Sequence, residues 1–323
     1  MKKLTLSVSA LCLSLAASAA DAAPPPARPP VHALRIVILS TMLAERAGIG
    51  EWGFAALVEV DGKRFLFDTG AQPETVSINA RALSVDLSNV TEVILSHNHD
   101  DHTGGLLTLR RSLAARNPAA LTRVHVARGM FWSRPSPEGE TNAVRKARPE
   151  LEASGIRFVE HDGPAELAPG VWLTGPVPRV HPERNWSTRG RVQTPDGLLE
   201  DTVPEDQALV FDTDHGLVLL SGCGHAGLVN TVDYARKTVR PAVLHAAVGG
   251  FHLFALDDER LDWTADRLKE AGSENLIGAH CTGLEAVYRI RARLGLARAH
   301  AVVGAVGATF ELGKGIDPLL LAR

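Results

Sequence analysis

Short runs of apolar, often β-branched residues alternate along this chain with stretches whose apolar residues recur every three or four positions. The first pattern predicts buried strands, the second helices with one apolar face. Residues 34–39 make the first strand run. Residues 54–60 and 64–67 flank Asp61-Gly62, a strong hairpin signal. A run at 93–95 leads at once into a His-rich turn, and residues 105–115 have helical spacing. Further strands are expected at 124–127, 156–159 and 171–173. Residues 176–206 are rich in Pro, Arg, Asp and Gly with little periodicity. They predict a long loop, and long loops in compact domains are often functional.

The second half has the same style. Residues 208–211 and 217–220 flank a turn and predict a second hairpin. Helical spacing at 228–237, 261–271 and 284–294 alternates with strand runs at 243–248 and 276–278, and a strand is expected over 301–310. Hairpins come early in each half and strand–helix alternation follows. That order predicts an α/β protein, an αββα four-layer sandwich of two packed sheets with helices outside, built from two similar halves.

The N-terminus breaks the pattern. Lys2 and Lys3 precede a short apolar run at 4–17, then Ala17-Ser18-Ala19 and Ala20-Asp21-Ala22. This reads as a secretory leader over 1–22, and a Pro-rich flexible segment over 23–33 follows. The folded domain is expected over 34–312, with a tail over 313–323. The expected location is therefore outside the cytoplasm, periplasmic or secreted. No later run is long and apolar enough for a membrane span.

Composition narrows the function classes. The net charge of −3, from 34 Lys plus Arg against 37 Asp plus Glu, gives no basic excess for a nucleic-acid backbone. Aromatics at 5% argue against a base-stacking platform. Three Cys exclude a disulfide scaffold, and removing the leader leaves Cys223 and Cys281, each close to a His. The expected partner is a small-molecule substrate, with neither nucleic acid nor membrane involved beyond the leader.

The chemistry concentrates in Ser96-His97-Asn98-His99-Asp100-Asp101-His102-Thr103-Gly104-Gly105. Three His and two Asp fall within six residues, directly after a strand, where side chains can converge on a pocket. Imidazole with carboxylate suits Zn, Mn or Fe. His97-x-His99-x-Asp101-His102 resembles the metal signature of the metallo-β-lactamase fold superfamily, and Phe67-Asp68-Thr69-Gly70 its upstream motif. The resemblance implies the αββα fold, two divalent metal ions, most simply Zn, and Asp68 buried behind the ligands.

Further segments recur in order: Gly50-Glu51-Trp52-Gly53-Phe54, Thr174-Gly175-Pro176-Val177-Pro178-Arg179, Asp206-Gln207-Ala208-Leu209, Ser221-Gly222-Cys223-Gly224-His225-Ala226-Gly227, Gly249-Gly250-Phe251-His252-Leu253 and Ala279-His280-Cys281-Thr282-Gly283. They resemble the dihydropterin ribofuranosylaminobenzene 5'-phosphate synthase branch over residues 34–312. Trp52 stands where that branch would have His. His225 follows a strand and a Gly-rich turn and is the candidate to join His97 and His99 at one ion; His280 follows the last central strand, as the superfamily's final ligand does, and is the candidate to join Asp101 and His102 at the other. His252 is a candidate ligand or substrate contact. Cys223 stands where the superfamily has a bridging Asp; it either coordinates metal or packs beside the site, and Cys281 reads as packing. Glu51, Trp52, Arg179 and His252 are candidate substrate contacts, and Asp101 the candidate catalytic carboxylate.

The expected function is an exported metal-dependent hydrolase, in which a metal-bound hydroxide attacks an ester, phosphoester or lactone-type bond. The alternative is the synthase-type transferase, which displaces pyrophosphate from a dihydropterin. A metal-binding protein without turnover is a third reading, set against by the intact cluster.

Overall fold

In the computed structural model, residues 30–45 and 48–322 are described. The expected leader and most of the Pro-rich segment lie outside these residues. Strict alternation within each strand builds the layers. In the strand Leu34–Ser40, Ile36 and Ile38 point into one apolar cluster while Val37 and Leu39 point into another. A strand buried on both faces needs this unbroken apolar run.

Eight strands form the first sheet, in the order Gly315–Asp317, Thr309–Glu311, Leu34–Ser40, Ala55–Val60, Lys63–Phe67, Glu92–Ile94, Arg123–Ala127, Arg157–His161. The Asp61-Gly62 hairpin forms as expected, with both residues at positive φ (45° and 79°), the conformation its tight turn demands. The last four strands pair in parallel. Seven strands form the second sheet, in the order Ala301–Val303, Asn275–Gly278, Leu244–Gly249, Gly216–Ser221, Ala208–Thr213, Val171–Leu173, Ala165–Ala168.

The sheets pack face to face through the cluster containing Phe54, Phe67, Phe211, Val248 and Phe310. Each such side chain contributes roughly 1.5–3 kcal/mol by leaving water. Helices Thr75–Ala82, Leu106–Ala114 and Ala143–Ala153 cover the outer face of the first sheet. Helices Leu228–Thr238, Asp258–Glu270 and Leu284–Leu294 cover the second. This is the four-layer αββα arrangement. Among the described residues no helix is long and apolar enough to cross a membrane.

Three expectations need correction. The segment 176–206 is not loop throughout, because Arg191–Thr194 and Gly197–Glu200 pair as a small hairpin. Residues 301–310 are two strands, Ala301–Val303 in the second sheet and Thr309–Glu311 in the first, so the chain crosses between sheets there. The expected tail carries Gly315–Asp317, paired antiparallel to Thr309–Glu311, so the fold extends past residue 312.

One feature of this topology positions the site. Strands Lys63–Phe67 and Glu92–Ile94 of the first sheet run in parallel and end just before Asp68 and His97. Strands Gly216–Ser221, Leu244–Gly249 and Asn275–Gly278 of the second also run in parallel and end just before Cys223, His252 and His280. Carboxyl ends of parallel strands from both sheets thus deliver their loops to one edge of the sandwich.

Candidate metal centre

Asp68 anchors the first-sheet side. It is fully buried at φ 55°, an uncommon conformation for a non-glycine residue. Its carboxylate accepts the Ser96 backbone N–H (2.7 Å) and the Ser96 hydroxyl (2.7 Å), and its Oδ2 lies 2.7 Å from His102 Nδ1. His102 Nδ1–H therefore donates to Asp68, and the Nε2 lone pair is left for a metal. The Ser96 hydroxyl also lies 2.9 Å from His97 Nδ1. One buried carboxylate thus orients two imidazoles, His102 directly and His97 through the Ser96 hydroxyl.

The donors converge in two groups. His97, His99 and His225 have ligand atoms within 4.8 Å of one another, and so do Asp101, His102 and His280. Cys223 joins the groups: its Sγ is 3.3 Å from His102 Nε2, and it clusters with His97 and His102 on one side and with His280 and Cys281 on the other. His252 stands with Cys223 and His225, its ring 4.6 Å from the His225 ring.

Electrostatics favour neutral imidazoles at His97, His99 and His225, whereas at His102 and His280 burial is outweighed, by Asp101 and Asp68 in the first case and by Cys281 and Asp101 in the second, and both are raised, His280 to about 10. Burial, reinforced by neighbouring imidazoles, holds His97 and His225 well below the usual histidine range. Burial brings His99 down to about 4. Burial opposes ionisation of Asp101, but His102 and His280 outweigh it and hold the carboxylate low. Burial pushes the Cys223 thiol up, and a bound cation is what would reverse that.

The residues fit divalent metal ions. His225 Nδ1 bonds the Asn185 backbone carbonyl, which fixes the tautomer and turns Nε2 into an acceptor. That Nε2 is buried without a hydrogen-bond partner, as is His252 Nδ1. A buried acceptor with no donor is costly, and a cation is the group that satisfies it. His252 and His280 also sit at φ 50° and 47°, strained conformations for histidine that cluster at functional sites.

The pocket over these donors has a volume of about 260 Å³. Its walls include Trp52, Trp186, Ser187, Asp201 and Val203, and among the described residues no Lys or Arg lines it. A cavity of about 570 Å³ between the helices Thr75–Ala82 and Leu106–Ala114 is larger but, among the described residues, gathers no donor cluster. Chemistry, not size, marks the site.

Two proposed substrate contacts are placed elsewhere. Glu51 does not line the pocket; its carboxylate accepts the Ser40 hydroxyl (2.6 Å) and the backbone N–H groups of Ala71 (3.0 Å) and Gln72 (2.9 Å). It secures the turn after Asp68. Arg179 does not line it either; its guanidinium donates to the carbonyls of Thr202 (2.5 Å) and Val203 (2.9 Å) and lies over the Trp186 ring. It tethers the pocket wall. Trp52 and His252 do line the pocket, with the Trp52 ring 5.2 Å from that of His280. His125 is buried away from the pocket, between Glu92 (2.8 Å) and His161 (2.9 Å).

An ion-pair network escaped the sequence reading. The fully buried Glu205 accepts from Arg134 (2.6 Å) and from the backbone N–H of Asn98 (3.2 Å), between His97 and His99. Arg134 also donates to Asp201 (2.9 Å) at the pocket wall. These partners are far apart in sequence, with no motif to join them.

Comparison with known proteins matches residues 53–239 to the model of the metallo-beta-lactamase superfamily. The chain belongs to that superfamily. The matched stretch contains the whole His97–His102 cluster, Cys223 and His225. The chain is 30% identical over 242 residues to the 7,8-dihydropterin-6-methyl-4-(beta-D-ribofuranosyl)-aminobenzene-5'-phosphate synthase of Methanocaldococcus jannaschii, covering 72% of this chain and 82% of that one. It is 26% identical over 257 residues to an uncharacterised protein of the same organism, covering 79% and 93%. Among solved structures it is similar to Tm1679, described as a metal-dependent hydrolase of the beta-lactamase superfamily, with 26% identity, a TM-score of 0.69, and coverage of 90% of this chain and 100% of that one.

Proposed function

We propose that this protein is a two-metal enzyme that displaces a group from an anionic substrate, with the synthase-type transfer of its Methanocaldococcus jannaschii relative as the first reading. The observation that carries the proposal is the convergence of His97, His99 and His225 beside Asp101, His102 and His280, with Cys223 between them. The identity over 82% of that relative's length supports the transfer.

Bound divalent ions would neutralise the charge of a phosphorylated leaving group and acidify a coordinated water or amine. The chain's own groups do the rest. Asp68 and the Asn185 carbonyl hold His102 and His225 in the ligating tautomer. Asp101, kept ionised, is the carboxylate placed to accept a hydrogen bond from the nucleophile and orient it, because Asp201 at the wall is paired with Arg134. Trp52, Trp186 and Val203 wall the cavity and restrict water. With no Lys or Arg among the described residues of the lining, a phosphorylated substrate would draw its counter-charge from the metal ions.

A second reading is hydrolysis, with water as the nucleophile. It is supported by the similarity to Tm1679 and by the modest cavity. The N-terminal leader pattern supports export, which suits a hydrolase better than a cofactor-building transferase. The test supplies the metal-loaded protein with a dihydropterin pyrophosphate and an aminobenzene ribofuranoside phosphate, and in parallel with a panel of esters, phosphodiesters and lactones. Pyrophosphate release together with the joined product supports the transfer. Ester turnover without a joined product moves the assignment to the hydrolase, and metal-dependent turnover of neither set contradicts both.

A further inference from the structure

Cys223 and Cys281 come from different strand ends, yet their sulfurs lie 3.1 Å apart. Both are buried and both face the pocket. Two glycines make the approach possible. A Cβ on Gly222 would sit 2.2 Å from Ser96 Oγ and 2.5 Å from Asp68 Oδ2. A Cβ on Gly250 would sit 2.0 Å from the Gly222 carbonyl and 3.1 Å from Cys281 Sγ. Real side chains do not approach so closely, so the loop after Gly216–Ser221 can meet the loops after Leu244–Gly249 and Asn275–Gly278 only with glycine at both positions. The meeting brings the two sulfurs together beside His280, with all three ligand atoms within 4.8 Å.

Packing alone does not call for this arrangement. Two thiols buried beside metal-donor imidazoles are a soft donor pair of the kind that selects Zn²⁺, Cd²⁺ or Co²⁺ over Mg²⁺ and Mn²⁺. The strained φ of His280 turns the chain so that residues 280 and 281 both face inward. We propose that Cys223 and Cys281 together donate sulfur to one metal position, with His280, and that this position selects a thiophilic cation. The proposal rests on the two-metal reading of the pocket. Each thiol loses its proton to solvent as its metal–sulfur bond forms, so no oxidant or reductant is involved.

The test uses the full chain carrying Cys12→Ser, so that only these two thiols report. The protein is freed of metal by a chelator, dialysed, and titrated with Co²⁺ and with Cd²⁺. A near-ultraviolet thiolate-to-metal charge-transfer band is expected. Cys281→Ser and Cys223→Ser should each remove about half of it per bound ion, and the double variant all of it. In competition, the preference for Cd²⁺ over Mn²⁺ should shrink at least tenfold in Cys281→Ser. A full-strength band in Cys281→Ser, or a Cys223–Cys281 disulfide in the metal-loaded protein, overturns the proposal. Should the Ser variants fail to fold, zinc-edge X-ray absorption of the zinc-loaded chain decides. At least two Zn–S bonds per chain are expected, and one or none overturns the proposal. An intact band without turnover would count against the proposed activity alone.

Discussion

The two sides of the metal centre are built differently. On the first-sheet side, four donors arrive from one six-residue segment, and a single buried carboxylate, Asp68, pre-sets it through three hydrogen bonds. On the second-sheet side, Cys223, His225, His252, His280 and Cys281 arrive from three strand ends. Two of them sit in strained backbone, and buried imidazole nitrogens lack partners. The first side is organised by the protein itself, whereas in the proposed two-metal reading the second is left for a metal to complete. A two-metal site of this kind would not be equally preformed on both sides. A rigid half can locate the first ion while a soft half adapts around the second.

The largest effect should come from breaking the preformed side. His99→Ala is expected to reduce turnover to background and lower metal content while far-UV circular dichroism stays unchanged. Retained turnover with a full metal complement would remove the His97–His102 segment from its role. Asp68→Asn should be milder. Asn keeps the shape but loses an acceptor for Ser96 or His102, so metal affinity should fall by about 10–100-fold. Competition with a chromogenic chelator reads this directly, and wild-type affinity would mean that His102 is oriented by something else.

Gly222→Ala strikes where the two sides touch. Its new methyl group must displace Ser96 or Asp68, at about 1–3 kcal/mol of stability. A urea midpoint equal to wild type would show that the contact relaxes without cost.

The smallest effect concerns the support behind His225. Glu183 accepts the backbone N–H groups of Val229 (3.1 Å) and Asn230 (2.8 Å) at the start of the helix Leu228–Thr238. Burial nevertheless pushes its carboxyl up from 4.5 to about 7 against those donors. A raised folded-state pKa means that the stabilisation is complete below 4.5 and is lost as pH rises through about 7. Glu183→Gln should flatten that fall, by on the order of 1 kcal/mol between pH 5 and pH 8. Urea unfolding at the two pH values measures it, and an unchanged slope would place the titration on another group, with Asp206, also raised to about 7, the first to examine.

The same asymmetry governed what the sequence could reveal. The His97–His102 cluster was legible because its ligands are local, and strand alternation made the layers legible as well. On the second-sheet side the donors come from three separate strand ends, so spacing alone carries little: His225 rests on its place after a strand and a Gly-rich turn, and His280 also on family resemblance. Glu51 and Arg179 sit beside recurring motifs, yet the fold gives their charges to backbone groups, which no local pattern announces. The hairpin Arg191–Thr194/Gly197–Glu200 had a turn signal in Pro195-Asp196-Gly197. Its strands have almost no buried face, only Val192 being in the core, so periodicity missed them. The Glu205–Arg134 pair spans 71 positions and had no signal at all.

The proposed binuclear centre is completed on the second-sheet side by metal, and elemental analysis of protein purified without chelators reads its stoichiometry. Two transition-metal ions per chain are expected, falling to one or none in His99→Ala. One ion or none in the wild-type protein, with the fold intact, would contradict it.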